Sequence, residues 1–130
     1  MRIFLALVLA ASLAALAISN AQAQRLDVPI MLAPTDGQMA GCGGARVRGL
    51  NPNGDGFLAV RTGPSTGYRK IAELYNGDWV NTCDSEGAWY GVVYGREECG
   101  VHDARPRTMA YRGPCRTGWV HGRYLTDPIP

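Results

Sequence analysis

Past residue 18 this 130-residue sequence has no long apolar run, and after residue 23 no window of a dozen residues carries a helical apolar period. The first absence excludes a membrane-spanning helix in the body of the chain, since a span needs roughly 20 apolar residues. The second leaves strands as the regular structure. Charge of one sign is also missing: 13 Lys+Arg stand against 11 Asp+Glu. Nucleic acid held by bulk electrostatics needs a strongly basic face, and an acidic disordered chain needs the opposite, so neither class fits. Histidine is scarce. His102 and His121 stand far apart, without ligand spacing, and no G-x-S-x-G surrounds a serine. Cys42, Cys83, Cys99 and Cys115 contain no C-x2-C pair and are too widely spaced to suit zinc.

What is present begins with an export pattern. Met1-Arg2 is a positive start, Ile3 to Ile18 is apolar except for Ser12, and Ala21-Gln22-Ala23 offers small residues to a signal peptidase. The run from Ile3 to Ile18 is short for a membrane span, so cleavage after Ala23 is expected. The remainder, 24–130, makes one domain and holds all 17 Gly, 8 Pro and 4 Cys. The glycines follow no three-residue period and mark tight turns rather than collagen.

An even count of cysteines in a small exported chain implies two disulfides. Three connectivities exist. Cys99 and Cys115 flank a Gly/Pro/Arg-rich stretch that cannot hold itself, so a bridge there is preferred, with Cys42–Cys83 as the remainder.

Residues 24–44 contain Pro29 and Pro34 and read as a flexible leader. From Ala45 the pattern becomes short strands between turns. Segments 45–50, 57–61, 70–74, 79–83, 88–94 and 118–121 are strand-like, and Asn76-Gly77 is a strong hairpin signal. The expected fold is all-β: a small barrel of five to seven short strands over residues 45–126, disulfide-stapled, with an insertion at 95–117. Gly118-Trp119-Val120 is expected to pair back toward 45–50 and close the barrel, with Trp119 pointing inward onto Val60 or Val80.

Leu58-Ala59-Val60-Arg61-Thr62-Gly63-Pro64-Ser65 resembles the L-x-V-R-x-G-P-S signature of bacterial SH3-like (SH3b) domains. Gly77-Asp78-x-Val80, Gly87-Ala88-Trp89-Tyr90-x-Val92 and Gly118-Trp119-Val120-x-x-x-Tyr124-Leu125 follow in the family's order. The resemblance implies a non-catalytic module that recognises cell-wall peptide or protein. The chain departs from the pattern in the long insertion between Tyr94 and Trp119, where the family has a short turn.

Several residues invite chemistry. Asn51 to Gly56 has oxygen ligands at alternate positions, but Thr62 stands where a calcium loop needs a bidentate Glu, so the segment reads as a turn and no metal is expected. His102-Asp103 and Glu97-Glu98 lack catalytic settings, so no catalytic residue is assigned and no cofactor is expected. Six tyrosines exceed what so small a core can bury; Tyr68, Tyr90 and Tyr124 are the candidates for a ligand groove. Arg105, Arg107 and Arg112 in the insertion are candidates for an anionic partner. The leading expectation is a periplasmic or secreted, monomeric binding module. The alternative is an inhibitor or interaction protein acting through the cysteine-closed loop, and a small hydrolase comes last.

Overall fold

The computed structural model describes residues 25–53 and 56–128. The expected export segment lies outside the described residues, as do Gly54 and Asp55 of the turn at 51–56. The strands are β1 (Met31–Leu32), β2 (Gly43–Arg46), β3 (Leu58–Arg61), β4 (Lys70–Leu74), β5 (Trp79–Glu86), β6 (Trp89–Tyr94), β7 (Met109–Ala110) and β8 (Arg116–His121), followed by a 3-10 turn at Gly122–Tyr124. All pairings are antiparallel; six strands form one sheet in the order β2-β5-β6-β8-β3-β4, and β1 with β7 forms a separate ribbon. No helix among the described residues is long and apolar enough to cross a membrane.

The period of two explains the two cores. On β3, Leu58 and Val60 are buried; on β6, Val92 and Tyr94; on β8, Val120. With Ala45, Val47, Leu50, Leu74, Val80 and Leu125 they form the core inside the curled sheet. The alternate residues Val93 and Trp119 face outward and join Ile30, Leu32, Val101 and the cysteines Cys42, Cys83 and Cys99 in a second core. The chain turns between β4 and β5 at Gly77, whose φ of +92° lies in the region glycine tolerates. The two strands do not pair, so the hairpin expected at Asn76-Gly77 is a turn that carries the chain from β3's partner to β6's.

The closure differs from expectation. Strand β8 pairs with β6 on one side and touches β3 on the other, through Arg61↔Trp119. A strand has only two edges, so none is left for segment 45–50. The chain returns to that segment further on, where Val47 bridges Leu125, Arg48 N donates to Tyr124 O at 2.8 Å and Thr126 N donates to Arg46 O at 2.9 Å. Trp119 is buried, at 1 % exposure, but in the outer core, away from Val60 and Val80. Its neighbour Val120 takes the inward position because adjacent strand residues face opposite ways.

Residues 25–44 are not a flexible leader. They form a strap across the outer face of the sheet: Val28 N donates to Thr62 O at 3.0 Å, Trp119 Nε1 donates to Val28 O at 2.8 Å, and Met31 N donates to Asp84 Oδ2 at 2.9 Å. Ile30 and Leu32 are buried there, while Leu26 and Val28 pack against the same core. The crossing is close at Gly91, where a Cβ would stand 2.7 Å from Ile30 Cδ1. Pro29 sits exposed, at a position that has no ladder bond to lose.

The insertion packs beside the strap over part of that outer face. Its β7 pairs with β1, and Thr35 bridges Arg105. Cys42 is bonded to Cys83 and Cys99 to Cys115, with Cα separations of 4.6 and 5.4 Å. The first bridge ties the segment entering β2 to β5. The second closes the insertion across its base.

Candidate ligand-binding cleft

Part of the sheet's surface is left uncovered. A cleft of about 460 Å³ opens there, lined chiefly by Phe57, Ala59, Arg61, Trp89, His121 and Tyr124. The strand period supplies the first three. Leu58 and Val60 turn inward, so Phe57, Ala59 and Arg61 stand together on the other side of the chain. Register supplies the next pair: Trp89 lies opposite His121 across β6 and β8, with ring centroids 5.4 Å apart and an edge-on geometry. Tyr124 comes from the 3-10 turn, whose Arg123 N donates to His121 Nδ1 at 3.1 Å. That bond fixes the imidazole and puts its own proton on Nε2.

Arg61 is the cation of the cleft. Its Nη1 donates to Tyr68 O at 3.1 Å, and its Nε is buried with no partner among the described residues. Two other cations sit over rim aromatics: Lys70 Nζ lies 4.6 Å from the Phe57 ring centroid, and the Arg123 guanidinium 5.9 Å from that of Tyr124. Lys70 also bonds Glu73 at 2.6 Å, which lowers the Glu73 carboxyl below its ordinary pKa; a second bond, from the Tyr75 hydroxyl, acts in the same direction.

The structure separates the residues singled out from the sequence. Tyr124 alone among the three tyrosines lines the cleft. Tyr90 packs against the inner core, with its ring over Gly122. Tyr68 lies against Gly63, where a Cβ would come within 2.6 Å of the ring, and serves the cleft only through its carbonyl to Arg61. Arg105 is 8 % exposed and turned inward: Nη1 donates to Ala33 O at 2.8 Å and Nη2 to Val101 O at 2.7 Å. It is a clamp between the N-terminal strap and the insertion, and the expectation that it meets an outside anion is corrected. The carbonyl of buried Val101 would otherwise lose its partner. Arg107 and Arg112 are exposed on the insertion and do not line the cleft.

The remaining candidates have structural partners. His102 Nδ1 accepts the Gly41 N–H at 2.8 Å, and Asn51 Oδ1 accepts from Asn53 N at 3.0 Å, as a turn requires. No group of three or more His, Cys, Asp or Glu side chains among the described residues could hold a metal ion. A second hollow of about 670 Å³ lies beside Arg105, between Pro34 and Pro106; it is more open, and its guanidinium is already satisfied by carbonyls.

Sequence reasoning missed Phe57, Ala59, Arg61, Trp89 and His121 as a set. The alternation of 57, 59 and 61 was a visible signal. The Trp89–His121 pairing was not, because it depends on the register of two strands with the whole insertion between them in the chain.

A curled antiparallel sheet of six short strands around one small core, ending in a 3-10 turn, is an SH3-like barrel. The family model for bacterial SH3 domains matches residues 56–126, more than half of the sequence, and the chain belongs to that family. No curated protein and no solved structure matches it. The matched range leaves out β1 and β2, so the strap over the outer core and one edge strand of the barrel precede it.

Proposed function

We propose that the protein is an exported, non-catalytic binding module whose cleft takes an extended segment of cell-wall peptide or of a periplasmic or extracellular protein. The observation that carries this reading is the cleft itself. Three aromatic side chains, from the entry to β3, from β6 and from the 3-10 turn, converge beside an arginine with unused donors. Such a surface suits an extended chain that offers side chains and carbonyls together. The sequence's export pattern and its two disulfides support an oxidising compartment. The test is retention of the exported protein, as a monomer by sedimentation, on purified cell wall and on periplasmic extract, compared with Ala59→Arg. Ala59 is half-buried and lines the cleft, so an arginine there fills the cleft while leaving both cores intact. Retention lost in Ala59→Arg supports the reading; unchanged retention removes the cleft from it.

A second reading places binding on the insertion, as in an inhibitor that presents a closed loop. Its specific support is that Arg107 and Arg112 are exposed on the loop closed by Cys99–Cys115. Arg107→Glu with Arg112→Glu would abolish capture of a protein partner under this reading and leave it unchanged under the first.

A further inference from the structure

We infer that the cleft is built for a peptide carboxylate, with Arg61 as its charge partner and His121 as a second donor. The inference rests on the cleft being the binding site and names the chemistry it selects. Among the described lining residues the polar side chains besides Tyr124 and Trp89 are Asn51, Arg61, Thr66 and His121, and none is acidic. The only ion pair among the described residues is Lys70–Glu73, so Arg61 has no carboxylate partner among them. One of its nitrogens bonds a neutral carbonyl and another is buried without any acceptor. A guanidinium in that state is incompletely satisfied; its buried Nε is closed to a ligand, so a carboxylate meets it at the Nη end through charge-assisted bonds. His121 cannot accept at Nδ1, which already takes the Arg123 N–H, and so offers an Nε2–H donor. The aromatic walls from Phe57, Trp89 and Tyr124 favour a carboxylate carried on an apolar residue over a bare inorganic anion.

A carboxylate of this kind comes from a peptide's C-terminus or from an acidic side chain, and three probes separate these. The tripeptide Ala-Ala-Phe is used as the free acid and as its C-terminal amide, together with the amide of Ala-Glu-Phe. Each is titrated into the exported, disulfide-bonded protein and followed by amide chemical shifts. The expected result is binding of the free acid roughly tenfold tighter than its amide, since charge-assisted bonds to Arg are about twice as strong as neutral ones. Equal strength for the Ala-Glu-Phe amide identifies side-chain carboxylates as the source, and weak binding identifies the terminus; both support the inference. Arg61→Gln should reduce acid binding to the level of the amide while leaving amide binding unchanged. His121→Asn retains an acceptor where Nδ1 stands and removes the Nε2 donor; it should weaken the acid several-fold with the native unfolding midpoint preserved. His121→Asn also keeps the inference testable if Arg61→Gln fails to fold. Equal affinity for acid and amide overturns the carboxylate and leaves the binding-module reading standing. Failure of every probe also overturns it, and retention on cell wall then decides the module reading separately.

Discussion

Trp119 shows how much one side chain does here. Its ring fills the outer core and its indole N–H holds the Val28 carbonyl, so it joins the barrel to the strap that crosses it. Trp119→Ala should cost about 3–5 kcal/mol, the usual range for a large buried aromatic, read as a lowered urea midpoint. Trp119→Phe keeps most of the packing and loses the hydrogen bond, and should cost about 1–3 kcal/mol because a buried carbonyl is left unpaired. Tyr94 gives a pH-dependent prediction. Burial holds its phenol above the ordinary value of 10.0, the nearby Arg116 opposing only in part. The unfolded phenol therefore ionises first. Stability is whole below about pH 10 and falls as pH rises through the folded value. Alkaline unfolding titrations should show a shallower fall in Tyr94→Phe.

Among the elements, the strap and the insertion stand or fall together. Neither has a core of its own: β1 and β7 are two residues each, too short for independent stability, and they pair with one another over the outer face of the barrel. Arg105 clamps both, by charge-assisted bonds to Ala33 O on one and Val101 O on the other. Arg105→Ala removes both bonds and leaves both carbonyls facing an emptied site. The expected loss is about 3 kcal/mol, the lower end of roughly 1.5–3 kcal/mol for each of two bonds to a charged group, because Ala33 is exposed to water. It should be local first. Amide exchange should accelerate in residues 30–35 and 99–111 while β5 and β6 stay protected.

For the molecule as a whole, two disulfides support a domain with little apolar surface to bury. Chain-entropy estimates assign about 4 kcal/mol to the Cys42–Cys83 loop and about 3 kcal/mol to the Cys99–Cys115 loop. Small domains have only about 5–15 kcal/mol in all. Reduction of both bridges should therefore unfold the protein or bring its thermal midpoint close to ambient. Replacing Cys99 and Cys115 together by Ala should cost less than replacing Cys42 and Cys83, and the order is checked by thermal unfolding of the two variants. The reverse order would show that the insertion, rather than the entry to β2, anchors the outer core.

The all-β class, most strand positions and the turn at Asn76-Gly77 were legible in the sequence because period-two alternation and turn chemistry are local properties; that the strands flanking this turn do not pair was not. The family signature was legible for the same reason, since it is made of strand ends and turns. Leu26, Val28, Ile30 and Leu32 carried the alternation of a half-buried strand as well, yet two prolines and the short span made the segment read as loose. Only the tertiary structure decided which partner each segment found. Arg105 turned inward onto Val101 O and onto Ala33 O, 72 positions away in the chain. Trp119 served the outer core because the register of β8 turned its neighbour Val120 inward. The cleft exists because Arg61, Trp89, His121 and Tyr124 meet across strand registers that alternation along one strand cannot specify.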